Sequence, residues 1–326
     1  AAHLLVQLPA LRWLNVRYYP RLGRRDAAVH EVGRLMAPRA LGLAAVEINH
    51  LVNVALASGL AAGSLAALNY GRLMMLLPQG IIAQSIAIAA FPTFSALVAR
   101  GQAEELRRVW HATLRSVIYL TLPAAIGLIM LRQPLVTTLL QRGAFDARSS
   151  EATAWALLFY ACGLLGHAVV EITTRVFYAL HDTRTPVIVG VAAMAANAVL
   201  SVLLMALFSR LDWAPHGGLA LANTLATTAE MVVLLRLSGQ RTSGLTRSRL
   251  AGALGRMGVG CVTMVVALLV VQSVFVGAPA WVLSGVGIVI GGGVYVLTTL
   301  ALRAEEPVRL ARGVWRRMRR PAGQPT

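Results

Sequence analysis

The chain has 326 residues, 57% hydrophobic and 13% charged, with a net charge of +17 and a mean hydropathy of +0.67. Soluble domains carry about 25% charged residues, so the composition excludes an ordinary soluble enzyme. All 30 basic residues are arginine, which reads as genome composition bias. A pI near 11.5 would suit nucleic acid, but these arginines gather between apolar runs, so topology accounts for them and no nucleic-acid partner is expected.

The apolar residues recur in runs of about 20, the length that crosses a bilayer as a helix. The fold class is all-α, a polytopic transmembrane bundle of about eight spans. The opening stretch, Leu4–Leu11, reads as the tail of a helix whose start is missing. Residues 1–35 are therefore the end of a truncated helix and a loop. Spans follow at 36–62, 64–91, 113–139, 152–175, 186–208, 217–237, 252–276 and 280–302. Residues 93–112 read as a polar, amphipathic connector. Pro78, Pro123 and Pro134 fall inside spans, where they kink helices. Gly59-x-x-x-Gly63 and Gly287-x-x-x-Gly291 permit close helix contact. Cys162 and Cys261 read as packing residues. The expected organisation is a six-helix lobe over 36–237, two further helices over 238–304, and a basic tail over 305–326.

Arginine placement orients the bundle. Arg12, Arg17, Arg21, Arg24, Arg25 and Arg34 precede span one, Arg100, Arg107 and Arg108 follow span two, and Arg175 and Arg184 follow span four. Arg236, Arg241, Arg247 and Arg249 surround the end of span six, and seven arginines from Arg303 to Arg320 fill the tail. The opposite loops hold only Arg142, Arg148 and Arg210, with Asp146, Glu151 and Asp212 beside them. Both ends are therefore expected in the cytoplasm, and the tail either anchors topology or touches anionic membrane lipids.

Polar residues inside the spans mark candidate sites. Arg72 is the only charged side chain between His50 and Arg100. Such a residue costs roughly 2.5–3.5 kcal/mol at mid-membrane on insertion scales, so it is expected to face water or an anion. Glu47, His50 and Asn53 share one face of span one. His167, Glu171 and Arg175 share a face of span four, with Glu171 placed for an i,i+4 ion pair. Span five offers Asn197 and Ser201, and span six offers Asn223, Thr227 and Glu230. Each has a structural alternative: Arg175 snorkels from a helix end, His167 and Glu171 form a packing pair, and Glu230 is an interhelical hydrogen-bonding group. Glu47-Ile-Asn-His50 has the Glu-x-x-His spacing of di-iron bundles, but no second copy exists. No metal-protease, nucleophile-elbow or phosphate-loop motif is present. No catalytic residue, metal or cofactor is expected.

Three stretches together resemble the MurJ/MviN family of lipid II flippases in the MOP exporter superfamily. They are Leu68-Asn-Tyr70-Gly-Arg72-Leu-Met-Met-Leu-Leu-Pro78-Gln-Gly80 running on to Phe91-Pro-Thr-Phe-Ser95, Leu140-Gln-Arg-Gly-Ala-Phe-Asp146, and Thr174-Arg-Val-Phe-Tyr-Ala-Leu-His-Asp182-Thr-Arg-Thr-Pro186. Order and spacing agree over nearly the whole chain, with hydropathy alone matching after about residue 240.

The resemblance implies a fourteen-span transporter, of which this chain holds the end of the sixth span and the seventh to fourteenth. It also implies a missing N-terminal lobe that carries further arginines. The implied activity is alternating-access flipping of a polyprenyl-pyrophosphate-linked glycan across the bacterial cytoplasmic membrane. Arg72 would contact the pyrophosphate, with Tyr70, Asn49, Glu47 and His50 as further substrate-binding residues. Asn53, Asn197, Ser201, Glu230 and Glu171 would be ion or cavity polar groups, with Na+ or H+ coupling as an option. The last two helices would hold the lipid tail. Many family members place an acid just before the arginine, where this chain has Gly71. Another superfamily substrate, whether a different polyprenyl-linked glycan or a drug, and a scaffold that transports nothing are the alternatives. A membrane enzyme on polyprenyl phosphates would need clustered Asp and His in the loops, which are absent.

Overall fold

A computed structural model describes residues 44, 47–241 and 247–307, leaving aside the side chains at 240–241 and 247–251. The expected leading segment, the start of span one and the basic tail beyond residue 307 lie outside the described residues, as do the side chains of Arg241, Arg247 and Arg249. The described fold is helical: α1 (residues 47–58), α2 (Ser64–Pro78), a π-helical turn (Gln79–Gln84), α3 (Ser85–Ala99), α4 (Ala103–Met130), α5 (Arg132–Leu140), α6 (Ala147–Ala179), α7 (Arg184–Arg210), α8 (His216–Arg241), α9 (Arg247–Val274) and α10 (Ala280–Ala301). Seven helices among the described residues are long and apolar enough to cross a membrane. The eighth expected span, 36–62, is described only from residue 47.

Span two is longer than expected. α2, the π turn and α3 form one helix from Ser64 to Ala99. Pro78 has no N–H for the helical ladder, and the chain absorbs the defect by widening to a π turn immediately after it. The amphipathic connector over 93–112 does not exist as a unit. Residues 93–99 finish α3, Gly101 turns the chain at φ +67°, and α4 starts at Ala103. The polar character of 103–112 belongs to the first turns of α4, where Glu104 pairs with Arg107 and Glu105 with Arg108.

Span three, expected over 113–139, breaks at Leu131 into α4 and α5. Pro134 sits in the first turn of α5, where a missing N–H costs nothing. It therefore starts a helix instead of kinking one, while Pro123 does lie inside α4.

The centre of the bundle is α6, the most buried span. It packs against α2, α3, α4, α5 and α8. Asp146 caps it by accepting the Ser149 N–H at 2.8 Å, which holds its carboxyl below the usual carboxylate range. Gly163 and Gly166 let α8 approach at Thr224, Thr227 and Thr228. α7 packs mainly on α8, and its outer side exposes Ile188, Val199, Leu203 and Leu207, suited to lipid.

α9 and α10 pair with each other and dock on α4 and α5. Gly287 and Gly291 do form a contact face, meeting Leu131 and Leu268. Gly59 and Gly63 do not: Gly63 has φ +90° and ends the turn before α2, and among the described residues nothing lies within 4 Å of where its Cβ would stand. Polar pins reinforce this docking. Tyr295 donates to the Tyr119 carbonyl (3.0 Å), the Tyr119 and Thr299 hydroxyls meet at 2.9 Å, and Gln272 donates to the Met130 carbonyl (2.8 Å). Cys261 is buried as expected, whereas Cys162 is exposed on the outside of α6.

Candidate functional site

A cavity of about 370 Å³ opens between α1, α2, α6 and α8. Glu47, Asn49, His50 and Asn53 line it from α1, Asn69 and Arg72 from α2, Tyr160 from α6 and Asn223 from α8. The helical period explains the convergence. Glu47, His50 and Asn53 recur every three residues, as do Asn69 and Arg72, so each helix turns one polar edge inward.

Arg72 is solvent-exposed and has no ion pair among the described residues. Glu47 lines the same cavity without bonding to it. A guanidinium held this way keeps its planar fork of donors free for an anion. Gly71, where the resemblance leads one to look for an acid, is buried against α6. A Cβ there would lie 3.1 Å from the Leu157 nitrogen and 3.2 Å from the Ala156 Cβ. The position serves helix contact and has no room for a carboxylate.

Tyr70 does not line the cavity. Two residues along a helix rotate a side chain by about 200°, so Tyr70 points away from Arg72, lies 39% exposed and meets Phe145 edge-on at 5.5 Å. Asn69 and Tyr160 take the place expected of it. Both were legible in spacing, Asn69 three residues before Arg72 and Tyr160 seven before His167.

The remaining candidates form two separate sets. The first joins α1 to α7: Asn197 donates to Asn49 Oδ1 at 3.1 Å, and the Ser201 hydroxyl lies 3.4 Å from Asn53 Oδ1 and 3.3 Å from Asn197 Oδ1. Asn197 is 2% exposed and Ser201 fully buried. This layer is built of neutral amides and a hydroxyl bonded to one another, with no carboxylate in it. No group of three His, Cys, Asp or Glu suited to a metal ion occurs among the described residues.

The second set lies between α6 and α8. His167 Nε2 sits 3.2 Å from Asn223 Oδ1 and 3.5 Å from Thr227 Oγ1. One turn on, Arg175 donates to Glu171 at 2.6 Å, the i,i+4 pair expected of them, while the Arg175 Nε is buried without a partner. Glu171 is thus engaged by Arg175 and lies outside the Arg72 cavity. Glu230 also lies outside it, facing α7 at Gly190.

The motifs that carry the family resemblance mostly shape the backbone. In the third, the Asp182 carboxylate accepts the Thr185 N–H (3.0 Å) and hydroxyl (2.6 Å), fixing the entry to α7. In the second, Gly143 takes φ +56° so that Phe145 N–H reaches the Arg142 carbonyl and Asp146 caps α6. Only the first places side chains in the cavity, Leu68, Asn69 and Arg72.

A sequence profile described as "Lipid II flippase MurJ" matches residues 1–302. The chain is 30% identical over 232 residues to a probable lipid II flippase MurJ of Vibrio cholerae, covering 71% of this chain and 43% of that protein. It is 26% identical over 245 residues to a lipid II flippase MurJ of Burkholderia cenocepacia, covering 74% and 46%. The chain thus spans under half the length of these relatives. Its fold is similar to a solved lipid II flippase MurJ in an inward closed conformation, with a TM-score of 0.71 at 21% identity over 88% of this chain and 56% of the other. An outward-facing multidrug resistance MATE family transporter of the MOP superfamily aligns with a TM-score of 0.50 at 16% identity, over 85% and 66%. Matched along nearly its whole length and folded as a membrane helix bundle, the chain belongs to the lipid II flippase MurJ family.

Proposed function

We propose that the chain forms the Arg72-bearing part of a flippase for lipid II, a polyprenyl-pyrophosphate-linked glycan, in the bacterial cytoplasmic membrane, with its C-terminus in the cytoplasm. The observation that carries this reading is the exposed Arg72, unpaired among the described residues, in a polar cavity between membrane helices. Arg72 receives the pyrophosphate, because a guanidinium donates bidentately to phosphate oxygens. Asn69, Asn223, His50 and Asn49 supply hydrogen-bonding groups around it, and Glu47 sets a local acid that limits how long the anion stays. The tail of the substrate remains in lipid while the cavity changes the side to which it opens.

The test is complementation of cells depleted of their lipid II flippase with the full-length gene. Arg72→Ala is expected to abolish growth at normal membrane expression, and Arg72→Lys to restore it only in part, since an ammonium keeps the charge but not the fork. Growth with Arg72→Ala at wild-type rates would sink the role of Arg72 and favour a scaffold that transports nothing.

A further inference from the structure

A second, larger cavity, of about 960 Å³, lies at the end of the bundle formed by the turns at 59–63, 141–146 and 211–215. It shares α2, α6 and α8 with the Arg72 cavity and adds α5 through Arg132 and Gln133. Ser64 lines it on α2, eight residues before Arg72, and His216 on α8, seven before Asn223. At about 1.5 Å rise per residue the two spaces are offset by about 10–12 Å along these helices. The arginine distribution assigns this end to the outer surface.

Its lining differs in kind. Trp155 and Trp213 meet edge to face at 5.9 Å, and Trp213 is 49% exposed. Trp155 is held by an N–H bond to the Ala214 carbonyl (3.3 Å). Arg132 and Arg148 line the space together with Asp146 and Glu151. Among the described residues none of these four forms an ion pair. Arg132 spends one donor on the Ile129 carbonyl (2.7 Å), and Asp146 accepts the Ser149 N–H. Arg148 and Glu151 make no side-chain hydrogen bond among the described residues. Two cations and two anions therefore surround one roomy space without closing an ion pair among the described residues, with indole surface beside them.

What sets this lining apart from the Arg72 cavity is indole surface beside charges of both signs. It suits a ligand that carries apolar ring faces, carboxylates and an amine together. Sugar rings present C–H faces to indoles, and peptide carboxylates match Arg132 and Arg148. We infer that this cavity binds the N-acetylated sugar and peptide portion of the substrate on its outward side, as a site separate from the Arg72 pyrophosphate site. The inference rests on the flippase reading and adds to it a second contact for another part of the same molecule. The substrate then leaves by passing its head group from one site to the next, about two helical turns away.

The full-length purified protein tests this with two soluble probes, inorganic pyrophosphate and a phosphate-free N-acetylglucosaminyl-N-acetylmuramyl pentapeptide, each titrated by calorimetry. Arg148→Gln is expected to weaken the muropeptide about tenfold, the loss of one charge-assisted contact, and to leave pyrophosphate unchanged. Trp213→Ala is expected to do the same, with the unfolding midpoint as its folding control because Trp213 also packs on Phe208. Arg72→Gln is expected to weaken pyrophosphate alone. If the muropeptide does not bind, binds Arg148→Gln as tightly as wild type, or weakens only in Arg72→Gln, the second site is overturned. Pyrophosphate binding indifferent to Arg72→Gln instead removes the Arg72 reading, and the Arg148 comparison still decides this one.

Discussion

Arg72 and Gly71 are neighbours with opposite tasks. One helical step of about 100° separates a guanidinium in an open cavity from a Cα pressed onto α6. This explains why the acid that the family resemblance suggests before the arginine is absent, and it yields a directional prediction. Gly71→Asp would not restore a missing ion pair. Its Cβ would stand 3.1 Å from a backbone nitrogen of α6, which cannot yield as a flexible side-chain end could. Gly71→Ala is expected to destabilise by about 1–3 kcal/mol through overpacking, and Gly71→Asp by more, because it also buries a carboxylate. The unfolding midpoint of the purified protein measures both. A midpoint for Gly71→Asp at or above wild type would refute the packing account. Residue spacing alone predicted that Glu47, His50 and Arg72 sit on polar faces. The same spacing puts Asn69 on the Arg72 face and Tyr70 off it; Tyr70 comes from the family resemblance and not from helical geometry.

Helices were easier to read in the sequence than their ends. Every span from 64 onward was located by its apolar run, yet the polar connector over 93–112 was misplaced and the break at Leu131 was missed. Residues 103–112 carry charge because Glu104 and Glu105 pair within the first turns of a long helix, not because the chain leaves the bundle. Pro78 and Pro134 have the same chemistry and opposite outcomes, a π turn in one case and a helix start in the other. The sequence does not reveal which, since the outcome depends on whether the preceding ladder continues. The small residues of the last two helices were legible as contact sites, but not what they contact. Gly260 faces Thr299 and Tyr295, with distances from its would-be Cβ of 2.8 and 3.0 Å. Those two residues also hold α10 to Tyr119 on α4. Gly260→Leu is therefore expected to spread α9 from α10. Thr263 and Thr298 hydroxyls lie 3.1 Å apart across that pair, so cysteines placed at both positions, with Cys162 and Cys261 changed to alanine, should cross-link on mild oxidation. The yield should fall severalfold when Gly260→Leu is added. An undiminished yield would show that the pair tolerates the bulk.

At the scale of the molecule, the two cavities and the arginine distribution bear on one another. The muropeptide cavity lies at the arginine-poor end, with Arg132, Arg142, Arg148 and Arg210 in or near it, while Arg100, Arg107, Arg108, Arg175 and Arg184 mark the other end. If arginine excess marks the cytoplasmic side, the Arg72 cavity lies inward of the larger one, and a substrate moving outward meets the pyrophosphate contact first. Reversal of the bundle would make the Trp155–Trp213 cavity an entry site and reverse the proposed order of events. Two single cysteines decide this in intact cells, in a background where Cys162 and Cys261 are alanine. Arg142→Cys, in the exposed turn before α6, is expected to react with a membrane-impermeant maleimide added outside. Gln102→Cys, in the exposed turn between α3 and α4, is expected to react only after permeabilisation. The opposite labelling pattern would invert the bundle. It would leave the helix packing and the residues of both cavities as described, and it would remove the outward assignment on which the head-group site depends.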